Sequence, residues 1–191
     1  DDFSNFDLSR LRTLAFGSAP LIKTWIITAR DAIPSMELWQ GYGLTETSQM
    51  LTLDRVPTQS EIAILKDDDR IRSAGRALIG TDLVILDDNG REQPAGAIGE
   101  VVVRGPQIAK GYLNMPEETD RQFRNGWFYT GDLGCLDSDG FLYLHDRKKD
   151  MVITGGENVY SFEVEEALVQ HPDVMEAAVF GVPDVVYGES L

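Results

Sequence analysis

The feature that most constrains the fold is the order strand, helix, strand over residues 11–43. "LRTLAFG" is typical of a buried strand, "LIKTWIITARDAI" has apolar residues at helical spacing, and "MELWQGYG" has the pattern of a second strand. This order predicts a parallel pair in an α/β sheet. Ligands of such sheets collect at the carboxyl ends of the strands, and the glycine-rich exit "GYG" lies at such an end.

The middle third of the chain is predicted to be mostly β-sheet. Its strand candidates, rich in β-branched or aromatic residues, are "TDLVILDDNG", "GEVVVRG" and "GFLYLHD", divided by the turn signals "DNG" and "DG". Before them, over residues 55–74, the apolar pattern lapses, and we predict a long surface connection, in which "EIAIL" could form a short helix or strand. Residues 116–123 are predicted to form a short helix, with Pro116 in its first turn.

Four charged residues, Arg147 to Asp150, mark the best candidate for a domain boundary. Beyond them, "MVITGG" predicts a strand and "SFEVEEALVQH" an amphipathic helix, with Ser161 as a candidate cap. "VMEAAVFGV" predicts a further strand.

Net charge and cysteine content exclude several classes of partner and environment. The formal charge of −15 disfavours sequence-independent binding to nucleic acid or to an anionic membrane surface. Cys135 is the only cysteine, so no internal disulfide can form, and we expect a reducing, cytoplasmic setting, with peripheral membrane association of the parent protein left open. No apolar run approaches the ~20 residues that span a bilayer. Because the sequence begins without Met and stops after a strand-like run, we expect an excerpt of a longer protein.

The stretch "GYGLTET" places Thr45 and Glu46 where a strand meets a helix start. Free N–H groups at such a junction favour phosphate oxygens, and a carboxylate there suits Mg²⁺, which prefers oxygen ligands. The alternative is structural: Thr45 caps the helix, Glu46 complements its dipole, and Gly41 and Gly43 serve backbone geometry alone.

Asp132 and Arg147 are further candidates for ligand binding. In "YTGDLG", Asp132 has a turn-like setting, and its two oxygens suit both hydroxyls of a ribose, although an Asx turn is the common alternative. The planar fork of Arg147 suits hydroxyls or phosphate, or else a local ion pair.

Two small-residue segments complete the candidates. Gly155 and Gly156 permit close backbone approach to an extended ligand, or form a plain hairpin turn. "GSAP", residues 17–20, suits contact with a planar base, or a helix entry. The sequence contains neither a G-x-x-x-x-G-K-[ST] phosphate loop nor a G-x-S-x-G elbow.

In order and spacing, "GSAP", "GYGLTET", "GEVVVRGP", "WFYTGDLG" and "DRKKDMVITGGENVYSFEVEEAL" strongly resemble the adenylate-forming superfamily of acyl-CoA synthetases, luciferases and peptide-synthetase adenylation domains. Leu44, where peptide synthetases usually carry Pro, and "VITGGEN" bring the chain closer to acyl-CoA ligases of the fatty-acid and 4-coumarate type. The resemblance implies an α/β fold. Residues 1–147 would be the C-terminal portion of the large AMP-binding domain, a parallel sheet segment plus a small β-barrel-like subdomain. Residues 148–191 would start the small α+β lid domain.

The resemblance also implies a reaction. A carboxylic acid attacks the α-phosphate of ATP, pyrophosphate leaves, and the acyl-adenylate is captured by the thiol of coenzyme A. Thr45 would then contact phosphate, Glu46 would hold Mg²⁺, and Lys149 would be the hinge of the lid. The adenine site would be lined by Ser18, Ala19, Pro20 and Tyr42, with Gly41 and Gly43 giving room; Asp132 and Arg147 would bind the ribose; Gly155 and Gly156 would approach the pantetheine arm.

Two features of the superfamily are missing from these residues: a Ser/Thr/Gly-rich phosphate loop and a C-terminal lysine. We therefore expect the excerpt alone to be inactive and the parent protein to be the ligase. The alternatives are an enzyme that loads a carrier-protein thiol and a non-catalytic nucleotide-binding relative. Neither the acid nor the oligomeric state can be read from the sequence.

Overall fold

The computed structural model describes residues 6–17, 23–58, 60–61 and 69–191. The helices are α1 (Lys23–Ala32), α2 (Pro116–Gln122) and α3 (Ser161–Val169), and two 3₁₀ turns lie at Thr45–Thr47 and Asp69–Arg72. The strands are β1 (Thr13–Phe16), β2 (Glu37–Tyr42), β3 (Thr52–Arg55), β4 (Arg76–Ala77), β5 (Asp82–Leu86), β6 (Gly99–Arg104), β7 (Phe123–Arg124), β8 (Trp127–Leu136), β9 (Leu142–Arg147), β10 (Val152–Thr154), β11 (Glu157–Val159), β12 (Val182–Asp184) and β13 (Gly188–Ser190).

The first sheet has the order β1-β2-β3-β4 and confirms the predicted parallel pair. Strands β1 and β2 run parallel, with Thr13 opposite Glu37 and Phe16 opposite Gln40, and α1 connects them. Ile26 of α1 is 1% exposed and joins a buried cluster with Met36, Leu38, Val56 and Ile71. The helical spacing of apolar residues is therefore what holds α1 to this sheet.

The second sheet is antiparallel and has the order β5-β6-β8-β7, with β9 paired to β8. It confirms the prediction that the middle third is mostly strand. Its core contains Val101, Val103 and Phe128, and the same cluster includes Tyr42 and Leu51 from the first sheet. The two sheets thus share one core, and the end of β2 is packed into it.

A third, smaller sheet has the order β11-β10-β13-β12. Its strands and α3 lie in the region of the chain that is predicted to begin the lid. The predicted strand in "VMEAAVFGV" is wrong over most of its length, because residues 174–181 form neither strand nor helix. Only Val182 of that run is in a strand, β12, and it pairs with Ser190 of β13. A β-branched run becomes a strand only where a partner strand lies beside it.

The predicted surface connection over residues 55–74 is also partly wrong. Residues 59 and 62–68 lie outside the described part of the chain, but Ile71 and Ala74 are 1% and 2% exposed. Apolar residues spaced too widely for a periodic pattern still reach the core. Within the described residues, no helix is long and apolar enough to cross a membrane.

Candidate functional site

A cavity of about 550 Å³ opens where the carboxyl end of β2 meets β9 and the small C-terminal sheet. Five of the predicted site residues line it, although they come from three distant parts of the chain: Gly41, Tyr42, Gly43, Asp132 and Arg147. The predicted hinge residue, Lys149, lines it as well. The parallel sheet therefore has a concavity at the edge where ligands of α/β sheets bind.

Tyr42 and Asp132 form the buried pair at the inner wall of this cavity. The Tyr42 hydroxyl donates a hydrogen bond of 2.6 Å to Asp132 Oδ2, across 90 residues of sequence. Tyr42 is 8% exposed and Asp132 is 7% exposed. The tyrosine ring belongs to the shared core, so the core fixes the position of the carboxylate.

The turn-like setting expected for Asp132 is wrong. Asp132 lies within β8, after Gly131 at a φ of 74°, and opposite Arg147 of β9. A glycine with positive φ inside a strand makes a local irregularity that turns a side chain aside, here toward the cavity.

Arg147 forms the ion pair that the sequence left as an alternative to ligand binding. Its Nε lies 3.3 Å from Asp132 Oδ1, and its side chain is about half exposed, whereas that of Asp132 is 10% exposed. Within the described part of the chain, the other guanidinium donors of Arg147 have no partner, so they are available at the mouth of the cavity.

Burial shifts the pKa values of both Asp132 and Tyr42. It raises the pKa of Asp132 above its ordinary value, while the hydrogen bond from Tyr42 and the charge of Arg147 oppose that rise. Burial, and next the charge of Asp132, raise the pKa of Tyr42 far above its ordinary value, so its hydroxyl stays a donor. The negative charge of Glu46 adds to the rise in the pKa of Asp132.

The stretch that follows Gly43 is a single 3₁₀ turn, Thr45–Thr47, and not the start of a longer helix. It ends at Ser48, whose φ of 54° is left-handed. Leu44 occupies the N-cap position, and Thr47 caps the turn: Leu44 N–H donates to Thr47 Oγ1 at 2.9 Å. The capping role considered for Thr45 is therefore wrong, and the Thr45 hydroxyl has no partner among the described residues. So short a turn has little dipole, and any phosphate contact would rest on the side chain and local N–H groups.

Glu46 is held by a residue that the sequence did not indicate. The hydroxyl of Tyr112 donates to Glu46 Oε1 at 2.7 Å, and Ala109 N–H donates to the Glu46 carbonyl at 2.7 Å. Burial, and next the bond to Glu46, raise the pKa of Tyr112 to about 12, so the hydroxyl remains a donor at neutral pH. Glu46 Oε2 has no partner within the described part of the chain.

Gly41 and Gly43 are required by packing, whatever ligand binds beside them. A Cβ on Gly41 would lie 2.9 Å from Met50 Sδ, and one on Gly43 would lie 2.8 Å from Met50 N and overlap the Gln49 carbonyl. The turn folds back against β2 only because these two side chains are absent.

The small C-terminal sheet and α3 are joined to the larger part by polar contacts. Asp146 Oδ2 accepts from the backbone N–H of Ser161 at 2.5 Å and from its hydroxyl at 2.9 Å. The cap predicted for Ser161 is thus wrong: Tyr160 is the N-cap residue, and the carboxylate comes from β9. Arg72 Nη2 lies 2.9 Å from Glu166 Oε2 of α3.

Lys148 and Lys149 have different surroundings at the predicted boundary. Lys148 Nζ lies 2.8 Å from Asp88 and 3.3 Å from Glu100, both in the larger part, and its pKa is raised first by the bond to Asp88. Lys149 is exposed, in a turn that Asp150 N–H closes onto the Arg147 carbonyl at 2.9 Å. Within the described residues, ion pairs therefore hold Lys148 to the larger part, whereas the Lys149 side chain makes no ion pair.

Gly155 and Gly156 form the hairpin turn between β10 and β11, with φ of 59° and 89°. This is the structural alternative considered for them, and they do not line the cavity. Ser18, Ala19 and Pro20 lie outside the described residues.

Sequence reasoning does not identify Thr47, Tyr112 or Asp146, because each contacts a residue that the folded chain places beside it. Tyr112 contacts a residue 66 positions away. In the local sequence, only the preceding Gly111 draws attention to Tyr112. The structure gives this glycine a φ of 146°, which other residues rarely adopt.

Comparison with known proteins gives matches over most of the chain. A family model described as AMP-binding enzyme matches residues 2–113, and one described as AMP-binding enzyme C-terminal domain matches residues 163–191. The 2-succinylbenzoate–CoA ligase of Geobacillus kaustophilus (strain HTA426) is 42% identical over 179 residues, covering 93% of this chain and 34% of that protein. The long-chain-fatty-acid–CoA ligase of Yersinia pestis is 37% identical over 191 residues, covering 100% of this chain and 32% of that protein.

A solved structure gives the same picture. The o-succinylbenzoate coenzyme A synthetase of Bacillus subtilis, in complex with ATP and magnesium ion, matches with a TM-score of 0.78 at 36% identity, over 93% of this chain and 35% of that one. The chain spans about a third of the length of the relatives it matches.

Proposed function

Because the chain belongs to the AMP-binding enzyme family, we propose that it forms part of an ATP-dependent, AMP-forming ligase that joins a carboxylic acid to coenzyme A. The observation that carries the proposal is the convergence of Tyr42, Asp132 and Arg147 on one cavity, with Glu46 on the adjoining turn. The acid is not specified, since one relative is named for succinylbenzoate and another for long-chain fatty acids.

In this proposal, Asp132 and Arg147 bind the nucleotide ribose. The carboxylate of Asp132 offers acceptors for two hydroxyls, and the half-exposed Arg147 offers donors. Tyr42 holds Asp132 and borders the space for the base, together with residues 18–20. Because Tyr42 keeps its proton, Asp132 has a fixed orientation before nucleotide arrives.

Glu46 and Thr45 face the phosphates in the same scheme. One carboxylate with an oxygen free of protein partners suits Mg²⁺, which usually binds one or two carboxylates together with phosphate and water. Among the described residues, no group of three or more His, Cys, Asp or Glu side chains is placed so that it could hold a metal ion by itself. When bound, Mg²⁺ would offset negative charge on the phosphoryl oxygens.

Lys149 is proposed as the hinge about which the small domain, residues 148–191, turns between two poses. In the second pose Gly155 and Gly156, at the tip of the β10–β11 hairpin, would approach the pantetheine arm of coenzyme A. Their conformation supports a tip without side chains, since both have positive φ.

The test is acid-dependent release of pyrophosphate by the full-length protein that contains this chain, measured over a panel of aliphatic and aromatic acids. Glu46→Gln and Asp132→Asn keep the shape of each side chain and remove its charge. We expect Glu46→Gln to lower release by about 10²- to 10³-fold, as for the loss of one group that stabilises transition-state charge. Asp132→Asn weakens binding of the ribose, so we expect release at subsaturating ATP to fall by about 10- to 150-fold, the equivalent of roughly 1.5–3 kcal/mol for a hydrogen bond to a charged group. Glu117→Gln is the matched control, because Glu117 is exposed on α2. Near-normal release by both variants would contradict the assigned roles.

Two alternative functions have distinct outcomes in the same assay. An enzyme that loads a carrier protein would release pyrophosphate but form no thioester with free coenzyme A. A non-catalytic relative would bind ATP and release no pyrophosphate with any acid.

A further inference from the structure

Tyr112 makes a contact that the proposed roles of the site residues do not use. Its hydroxyl donates to Glu46 Oε1 at 2.7 Å, and this is the only bond that the Glu46 carboxylate receives from the described residues. The other oxygen, Oε2, has no partner among those residues. The hydrogen bond from the Tyr112 hydroxyl restricts the rotation of the Glu46 carboxylate.

Two contacts of Tyr112, one of its backbone and one of its ring, fix the position of the hydroxyl. The backbone N–H of Tyr112 donates to Thr119 Oγ1 at 2.9 Å, and Thr119 belongs to α2. The ring of Tyr112 stands edge-on to Phe123, with centroids 5.6 Å apart at 72°. Phe123 in turn stacks at 4.7 Å on Phe128, which is 2% exposed. Through these ring contacts, packing in the core of the second sheet determines where the Tyr112 hydroxyl lies.

The segment before Tyr112 is also attached to the turn that carries Glu46. Ala109 N–H donates to the Glu46 carbonyl at 2.7 Å, and the Ser48 hydroxyl donates to the Gln107 carbonyl at 2.9 Å. These two bonds position the backbone of the turn without help from Tyr112. The Tyr112 hydroxyl acts on the side chain alone, so its effect can be separated from that of the backbone contacts.

We propose that Tyr112 is a positioning residue that orients the Glu46 carboxylate for a divalent cation carried by ATP. This inference rests on the proposed function, in which Glu46 holds the metal. A Glu side chain has several rotamers of similar energy, and fixing it before the metal binds removes that entropy from the binding step. Loss of a hydrogen bond that orients a metal ligand typically lowers metal affinity by about 10- to 100-fold.

The experiment uses Tyr112→Phe in the full-length protein, with Mn²⁺ as the probe of the metal site. Binding of Mn²⁺ in the presence of a non-hydrolysable ATP analogue is followed by electron paramagnetic resonance, and ATP binding without metal is measured separately. We expect the Mn²⁺ dissociation constant to rise about 10-fold or more. Metal-free nucleotide binding should change by less than about twofold, because the ring, the backbone contacts and the cavity residues are unchanged.

Tyr129→Phe is the matched control. Tyr129 is half-buried on β8, and its hydroxyl has no hydrogen-bond partner among the described residues. This variant should leave both constants unchanged. If Tyr112→Phe is less stable, the apparent dissociation constant rises by the inverse of the folded fraction, so that fraction is measured by circular dichroism and the constant is corrected for it.

Each remaining outcome has one meaning. An Mn²⁺ dissociation constant of Tyr112→Phe within twofold of the wild-type value overturns the inference. Equal weakening of Mn²⁺ binding and of metal-free nucleotide binding also overturns it, because it indicates a structural role only. If wild-type protein neither releases pyrophosphate with any acid nor binds Mn²⁺ with nucleotide, the proposed function itself fails. Activity of wild type with an unchanged Tyr112→Phe constant leaves the function intact and rejects the role of Tyr112.

Discussion

Replacing Tyr42 with Phe removes one hydroxyl from the buried pair beneath the cavity and keeps the aromatic ring in the core. The bond that is lost is 2.6 Å long and ends on a carboxylate. Tyr42 and Asp132 are 8% and 7% exposed, so water cannot readily replace the missing donor. Among the described residues, the remaining partner of the Asp132 carboxylate is Arg147, whose Nε lies 3.3 Å from Oδ1.

The expected loss of stability follows from these contacts. A hydrogen bond to a charged group contributes roughly 1.5–3 kcal/mol, and a buried acceptor left without its donor is unfavourable by a similar amount. Because Arg147 still contacts the carboxylate, we expect about 2 kcal/mol at neutral pH, within that range. With a denaturant slope of about 1–3 kcal/mol per molar urea, the unfolding midpoint should fall by about 1 M.

The pH dependence has a definite sign. The folded-state pKa of Asp132 is raised by burial, and Tyr42 opposes the rise, so the variant raises that pKa further. A carboxyl whose folded pKa lies above its unfolded value of about 3.9 binds more protons in the folded state across that interval. This group's contribution to the free energy of unfolding therefore falls as pH rises from the unfolded to the folded pKa. On acidification, the difference in free energy of unfolding between wild type and variant should shrink to the contribution of a neutral hydrogen bond, about 1 kcal/mol.

Urea unfolding followed by tryptophan fluorescence at neutral and at acidic pH tests the argument, with Tyr129→Phe as the control. Trp39 lies on β2, three residues before Tyr42, and reports on this sheet. Equal midpoints for wild type and Tyr42→Phe at neutral pH would refute the reasoning. So would a difference that grows as pH falls.

Two further substitutions test the backbone. Gly43→Ala should lower stability by about 1–3 kcal/mol, because the new Cβ overlaps the Gln49 carbonyl, and a melting temperature equal to that of wild type would reject this packing role. Lys149→Pro fixes φ near −65° and should reduce thioester formation by the full-length protein more than pyrophosphate release. Lys149→Ala keeps the torsional freedom and is its control; equal loss of both half-reactions in the Pro variant counts against a hinge.

Local patterns predicted much of the fold because they arise from neighbours in sequence. Helical spacing placed α1, runs of β-branched residues placed β5 and β6, a run of leucine and aromatic residues placed β9, and the turns at Gly90 and Gly140 were found as expected. The motif order also predicted the family, which is confirmed. The strand expected in residues 174–182 failed for the opposite reason, since strand pairing depends on a partner that local sequence does not specify.

The sequence by itself determined which side chains are available for chemistry: Tyr42, Glu46, Asp132 and Arg147 were identified from their motifs. Only the tertiary structure decided how they are joined. Strand register places Asp132 opposite Arg147, and packing of two sheets into one core brings Tyr42 to Asp132 across 90 residues and Tyr112 to Glu46 across 66. Such pairs depend on which strands lie together, and that is settled by burial of the whole core and not by any short stretch of residues.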